Sequence, residues 1–224
     1  MISITSIDQT EALRYLGYGE NTPDEKIQEI INDCEQELLK VIAPRFLYRR
    51  FDITRKDENI FLDNCKLKLT GTDINSHLTD CNSLVLMCVT LSVGADKLIR
   101  INQINDMTRA VIFDSLASAA VEQVCNKVEE EIRNEFPNLY QTWRYSPGYG
   151  DLTIDIQHDF LNVLNAQKKI GLCVNESNIL IPRKSVTAII GLSEHEITQK
   201  KRGCQSCNLR ETCTFRRRGE HCEF

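Results

Sequence analysis

The sequence predicts an α+β domain in which helices flank a twisted antiparallel sheet, followed by a Cys-rich C-terminal tail. Three observations carry this prediction. Apolar residues recur at three- and four-residue steps over residues 24–42 and again from Met107 to about Glu135. Strict alternation marks Cys65-Lys66-Leu67-Lys68-Leu69 as a half-buried strand, and three short β-prone runs crowd residues 170–191. Strands gathered near one end, with helices before and between them, favour an antiparallel sheet over a doubly wound one. With 224 residues, 42% of them hydrophobic, the chain can bury a full core.

The first helix is signalled at Thr22-Pro23-Asp24-Glu25, where Thr22 can cap, Pro23 suits the first turn and Glu25 completes a capping box. Ile27, Ile30, Ile31, Cys34, Leu38, Leu39 and Ile42 then form its apolar face up to Pro44. The run 84–100 is too apolar for a surface element and reads as a buried strand leading into a helix near Gly94, although periodicity alone does not separate strand from helix here. The helix from Met107 is the longest, and its middle, LASAAVEQV, is rich in small residues that allow close approach of a backbone or ligand. After Pro137 come WRYSPGYGD (143–151), a second amphipathic helix bearing Ile156, Phe160, Val163 and Leu164, and the β-prone runs 170–174, 178–181 and 185–191. Residues 193–203 are polar and read as a linker.

Charge is unevenly spread. Residues 197–224 carry +4, which leaves −9 on residues 1–196 out of a total of −5. An acidic body argues against nucleic-acid binding. No run approaches the roughly 20 apolar residues of a membrane span, and the N-terminus lacks the basic and apolar regions of a signal peptide, so a cytoplasmic location is expected. Of ten cysteines, Cys34, Cys81, Cys88, Cys125 and Cys173 lie among apolar neighbours and Cys65 in a more polar stretch, and most of these six read as structural. The other four form Cys204-x2-Cys207-x5-Cys213-x8-Cys222, enough thiolates for a tetrahedral metal site with His221 as a possible substitute ligand. The spacing matches neither a zinc ribbon nor a ferredoxin run, so zinc and an iron–sulfur cluster both stand. Arg216–Arg218 read as a solvated patch. No phosphate loop, HExxH or dinucleotide fingerprint occurs, and His77, His158 and His195 read as surface or structural residues.

Arg144-Tyr145-Ser146-Pro147-Gly148-Tyr149-Gly150-Asp151 and Ile181-Pro182-Arg183-Lys184-Ser185-Val186-Thr187-Ala188, together with residues 115–122, resemble the activation domain of cobalamin-dependent methionine synthase. The first is similar to its Arg-x-x-x-Gly-Tyr motif and the second to its Pro-x-x-Ser-Val-Ser/Thr segment. The resemblance runs over most of residues 10–192. It implies an S-adenosylmethionine-binding domain over 1–196, with 197–224 as an appended basic tail. It implies ligand contacts from Glu122, Arg144, Ser146, Pro147, Gly148, Tyr149, Ser185 and Thr187. Pro147 and Gly148 suit a type II turn that presents backbone groups to a ligand. Arg144 offers a planar fork for a carboxylate, Tyr149 a ring to pack on the ligand, and Glu122 an anion for its ammonium and sulfonium. The sequence departs from the family in having Gly-Tyr-Gly for Gly-Tyr-Pro, Asn138 where an acidic residue often precedes the Arg, and no matched N-terminal acidic contact.

The implied chemistry is reductive methylation, in which cob(II)alamin receives an electron and a methyl group from S-adenosylmethionine. The chain contains no Asp-x-His-x-x-Gly corrinoid signature; Asp73–His77 and Asp155–His158 do not fit it. The resemblance therefore implies a free-standing accessory module for a partner that carries the cobalamin: a methionine synthase without its own activation domain. A low-potential donor such as flavodoxin or ferredoxin would supply the electron. An S-adenosylmethionine sensor without methyl transfer is the alternative reading.

Overall fold

The computed structural model describes residues 2–19 and 21–197. Helices α1 (Gln9–Tyr15) and α2 (Glu25–Val41) lead into β1 (Arg45–Lys56), β2 (Asn59–Leu62), β3 (Lys68–Thr70) and α3 (Thr72–His77). Then follow β4 (Ser83–Thr90), α4 (Val93–Asn105), the 29-residue α5 (Met107–Glu135) and β5 (Tyr140–Gln141). A 3-10 turn at Ile154–Ile156 opens α6 (Gln157–Leu164), and α7 (Ala166–Ile170), β6 (Cys173–Val174), β7 (Leu180–Ile181) and β8 (Ser185–Ser193) complete the described chain. Six strands form one antiparallel sheet in the order β3-β2-β1-β4-β8-β5, and β6 and β7 form a separate pair. The class is the α+β architecture read from the sequence.

Strand β4 shows why its sequence lacks alternation. Val85, Met87 and Val89 face the core under α1, α2, α4 and α5, while Leu84, Leu86 and Cys88 face a second core with Phe160, Leu161 and Leu164 of α6. All eight residues are buried, so the strand is apolar on both sides. The run 84–100 thus resolves into a central strand, a turn and a helix.

Other expectations shift. Asp24, not Thr22, caps α2, its carboxylate accepting the Ile27 N–H at 2.9 Å, because Asp24 stands immediately before the first helical residue. The alternating run 65–69 pairs only from Lys68, since Asp63–Lys66 turn the chain out of β2. The sheet is not gathered near one end of the chain: β1, β4 and β8 are its centre, drawn from three separate regions. Helix α1 was not read from the sequence. It is capped by Asp8 and strapped to α5, with Gln123 bonding both Asp8 N–H and Ser6 C=O and Lys127 reaching Ser3 C=O.

Cys34, Cys81, Cys88 and Cys125 are buried, and burial pushes the Cys34 and Cys81 thiols up to about 11 and Cys88 to about 12. At those values they remain protonated at neutral pH and act as small apolar side chains. Cys65 and Cys173 are half-buried. Among the described residues, no helix is long and apolar enough to cross a membrane.

Helix α4 crosses the end of α2 so closely that a Cβ on Gly94 would lie 2.8 Å from the Val41 carbonyl carbon. Backbone cannot move aside as a flexible side chain can. Gly94→Ala should therefore lower stability by about 1–3 kcal/mol, read as a fall in the urea midpoint without a change in slope.

Candidate functional site

Helix α5 buries thirteen of its 29 residues, and one of its polar stripes is Asp114, Ser118, Glu122, Asn126 and Glu129, at steps of four, four, four and three. Two cations from the family-like segments land on it. Lys184 donates to the Asp114 carbonyl and Ser118 Oγ, each at 2.9 Å, and pairs with the Asp114 carboxylate at 2.9 Å. Arg144 pairs with Glu122 at 2.8 Å and Glu129 at 3.1 Å and donates to Asn126 at 2.9 Å. Its side chain is 11% exposed, against 39% for Glu122 and 22% for Glu129.

Arg144 and Glu122, expected as separate ligand contacts, are thus partners of each other. One cation between two carboxylates leaves the cluster at −1. Its neighbour on α1 is neutral overall, since Arg14 is paired with Glu11 at 2.5 Å and lies over the Tyr15 ring. Burial first, then the Glu122 and Glu11 charges, push the Tyr15 hydroxyl up to about 12. Tyr15 and Glu129 escaped the sequence reading. Glu129 was legible, because it stands seven residues after Glu122 and so shares its helical face; Tyr15 depended on the unrecognised α1.

The motif itself folds as its residues dictate. Tyr145 exchanges backbone hydrogen bonds with Ile189 of β8 at 2.9 and 2.8 Å, pinning the start of the segment to the sheet. The Ser146 carbonyl accepts the Tyr149 N–H at 3.1 Å and Gly148 has φ +95°, which is the type II turn expected from Pro147 and Gly148. Gly148 and Tyr149 are exposed, the tyrosine at 49%, and Pro147 is buried beneath them. The Tyr145 hydroxyl donates to the Tyr149 carbonyl at 3.1 Å, and the Tyr145 ring stacks in a chain of His77, Trp143, Tyr145 and Tyr149. His77 is buried in that chain with Nε2 2.9 Å from Thr142 Oγ1, a structural setting.

Ser185 and Thr187 have their hydroxyls turned inward. Ser185 donates to Pro182 C=O at 2.7 Å and accepts from the Thr90 hydroxyl at 2.8 Å, and buried Thr187 donates to Gln157 at 2.8 Å. Their outer backbone differs. Ile189 bonds Tyr145 on the β5 side of β8, and by strand alternation Thr187 N–H and C=O face the same way. Among the described residues no strand pairs with that side of 185–188.

Two concavities lie elsewhere. One of about 510 Å³ is lined by Lys66, Lys68, Asp151 and Asp155 among others, and one of about 410 Å³ by His158, Asn162 and Lys168 among others; neither touches Arg144 or Glu122. Among the described residues no group of His, Cys, Asp and Glu could hold a metal. Cys204, Cys207, Cys213 and Cys222 lie outside the described residues.

Among solved structures, the chain is similar to the crystal structure of the MetH reactivation domain bound to AdoHcy, with a TM-score of 0.68. The match covers 96% of this chain and 82% of that one at 16% sequence identity. The chain has the fold of that domain. No protein-family model matches it, and neither does any curated protein. The reactivation-domain resemblance read from residues 115–122, 144–151 and 182–191 therefore holds at the level of fold.

Beyond the turn, the Asp151 carboxylate accepts the N–H groups of Thr72 at 2.6 Å and Asp73 at 3.1 Å. Desolvation alone would raise its pKa, but these bonds outweigh it and hold the carboxyl below its ordinary value. A depressed folded pKa contributes stability that is complete above the unfolded value of about 4 and is lost as the pH falls through the folded one. Wild type should accordingly unfold at higher temperature than Asp151→Asn at neutral pH, and the gap should close on acidification below about pH 4.

Proposed function

We propose that this chain binds S-adenosylmethionine and its product S-adenosylhomocysteine at the face formed by Arg144, Glu122, Glu129 and the Ser146–Tyr149 turn. The observation that carries the reading is the arrangement around Arg144. A guanidinium between two carboxylates adjoins a preformed turn, on the reactivation-domain fold. S-adenosylmethionine presents a carboxylate, an ammonium and a sulfonium. Its carboxylate takes one carboxylate's place on the Arg144 fork, and the released Glu122 turns to the cationic groups. The net −1 of the cluster favours a ligand carrying an extra positive charge. The open backbone of Thr187 and the turn supply neutral donors and acceptors, and exposed Tyr149 supplies a ring.

We further propose that the bound ligand is aimed at cobalamin held by a separate corrinoid methyltransferase, a methionine synthase lacking this domain, with flavodoxin or ferredoxin as electron donor. The likeness of the fold to a reactivation domain supports that reading. Methyl transfer to reduced cobalt releases a neutral thioether and needs no proton transfer, so orientation is the contribution asked of the protein. The site offers an ion cluster and a preformed turn, and the nearby His77 is buried against Tyr145 with its Nε2 on Thr142, which suits that task. Zinc or an iron–sulfur cluster on the tail cysteines, as a fold-maker or an electron entry point, is part of the same proposal.

Calorimetry should detect both nucleosides binding to the wild type, and Arg144→Ala should weaken them by roughly 2–5 kcal/mol; no heat at millimolar ligand would refute the reading. With a cob(II)alamin-loaded methyltransferase, a low-potential donor and S-adenosylmethionine, adding this chain should generate the methylcobalamin spectrum. Binding without any such conversion across several corrinoid partners would leave a sensor.

A further inference from the structure

We propose that Gly71–Asp73 and Gly150–Asp151 form a reciprocal brace that holds the Ser146–Tyr149 turn in place for its ligand, making Asp73 and Asp151 positioning residues of the site. The ligand half of this proposal rests on the functional reading above. Each aspartate serves the other's backbone across 78 residues. Asp151 accepts from Thr72 and Asp73, and the Asp73 carboxylate accepts the Asp151 N–H at 3.2 Å. Each glycine leaves the room the opposite aspartate needs. A Cβ on Gly71, whose φ is +141°, would lie 2.9 Å from Asp151 Cγ, and one on Gly150 would lie 2.9 Å from Asp73 Cγ and 2.6 Å from the Tyr145 hydroxyl.

The outer part of the turn needs such a device because only Pro147 of it is buried, Gly148, Tyr149, Gly150 and Asp151 all being exposed. Its start is tied to β8 through Tyr145, and Tyr149 and Leu152 bond within the loop. The brace ties its far end to α3, so the segment between is clamped from both sides. A turn fixed before binding spares the ligand the cost of ordering it.

The test uses the full 224-residue chain and S-adenosylhomocysteine as probe. Asp151→Ala and Asp73→Ala should each weaken binding roughly tenfold or more. They should also speed amide exchange at Tyr149 and Leu152 by about tenfold and shift the emission of Trp143, the single tryptophan, whose ring lies 5.4 Å from that of Tyr145. Asp151→Asn, which keeps one carbonyl acceptor, should recover part of all three effects. Ile31→Val, a mild destabilisation in the opposite core, should change none of them. Wild-type affinity or unchanged exchange in Asp151→Ala overturns the brace while the binding reading stands. If the wild type does not bind the probe, the binding reading fails, and exchange decides the brace: faster exchange at Tyr149 and Leu152 upholds it as the loop's anchor, and unchanged exchange overturns it.

Discussion

The candidate site depends on one constraint, that a helix packed into the core along one face must still satisfy the polar side chains at the border of that face. Along α5 the core takes Ile112, Phe113, Leu116, Ala120, Val124 and Val128, and Asp114, Ser118, Glu122, Asn126 and Glu129 line one seam beside it. Carboxylates at such a seam need cations. Lys184 and Arg144 supply them, and because each sits in or beside a β8-anchored segment, satisfying the seam fixes the edge of the sheet against the helix. The polar groups that hold the fold together are therefore the ones that a charged ligand would meet.

Legibility followed the physics of each signal. The long helix was legible, from Met107 to about Glu135, because buried positions repeat along it at helical steps. The Ser-Pro-Gly-Tyr turn was legible because φ restriction at Pro147 and positive φ at Gly148 are local properties. Helix α1 was not, since its seven residues bury only Ala12 fully and its place depends on Gln123, Lys127 and Glu35 far along the chain. The Arg144–Glu122 pair likewise required the fold. Both residues were singled out, but nothing local says that a side chain after β5 reaches across to mid-α5. Ser185 and Thr187 were flagged for their hydroxyls, and strand register decides instead that those hydroxyls face inward and the backbone faces out.

The motif that Arg144–Asp151 resembles has proline where this chain has Gly150, and that difference has a structural counterpart. Where the family has proline after Gly-Tyr, a ring would restrict φ within the loop itself. Here glycine occupies that position, and restriction comes from outside, through Asp151 on the N–H groups of Thr72 and Asp73. Local stiffness and a long-range clamp are two solutions to the same problem of an exposed turn.

The same logic bears on why the site holds so few groups with chemistry of their own. A residue that moves protons needs a pKa near neutrality, and at this face the resolved shifts run the other way: the Tyr15 hydroxyl is pushed up to about 12 by burial and anionic neighbours, and Asp151 is held below the carboxylate range. Both groups stay in one protonation state through the neutral range. Fixed charge, a fixed turn and an open strand edge are means of orienting a ligand. A reaction whose leaving group departs uncharged asks for little else, so the electrostatics of the face and the proposed chemistry are consistent without a catalytic dyad.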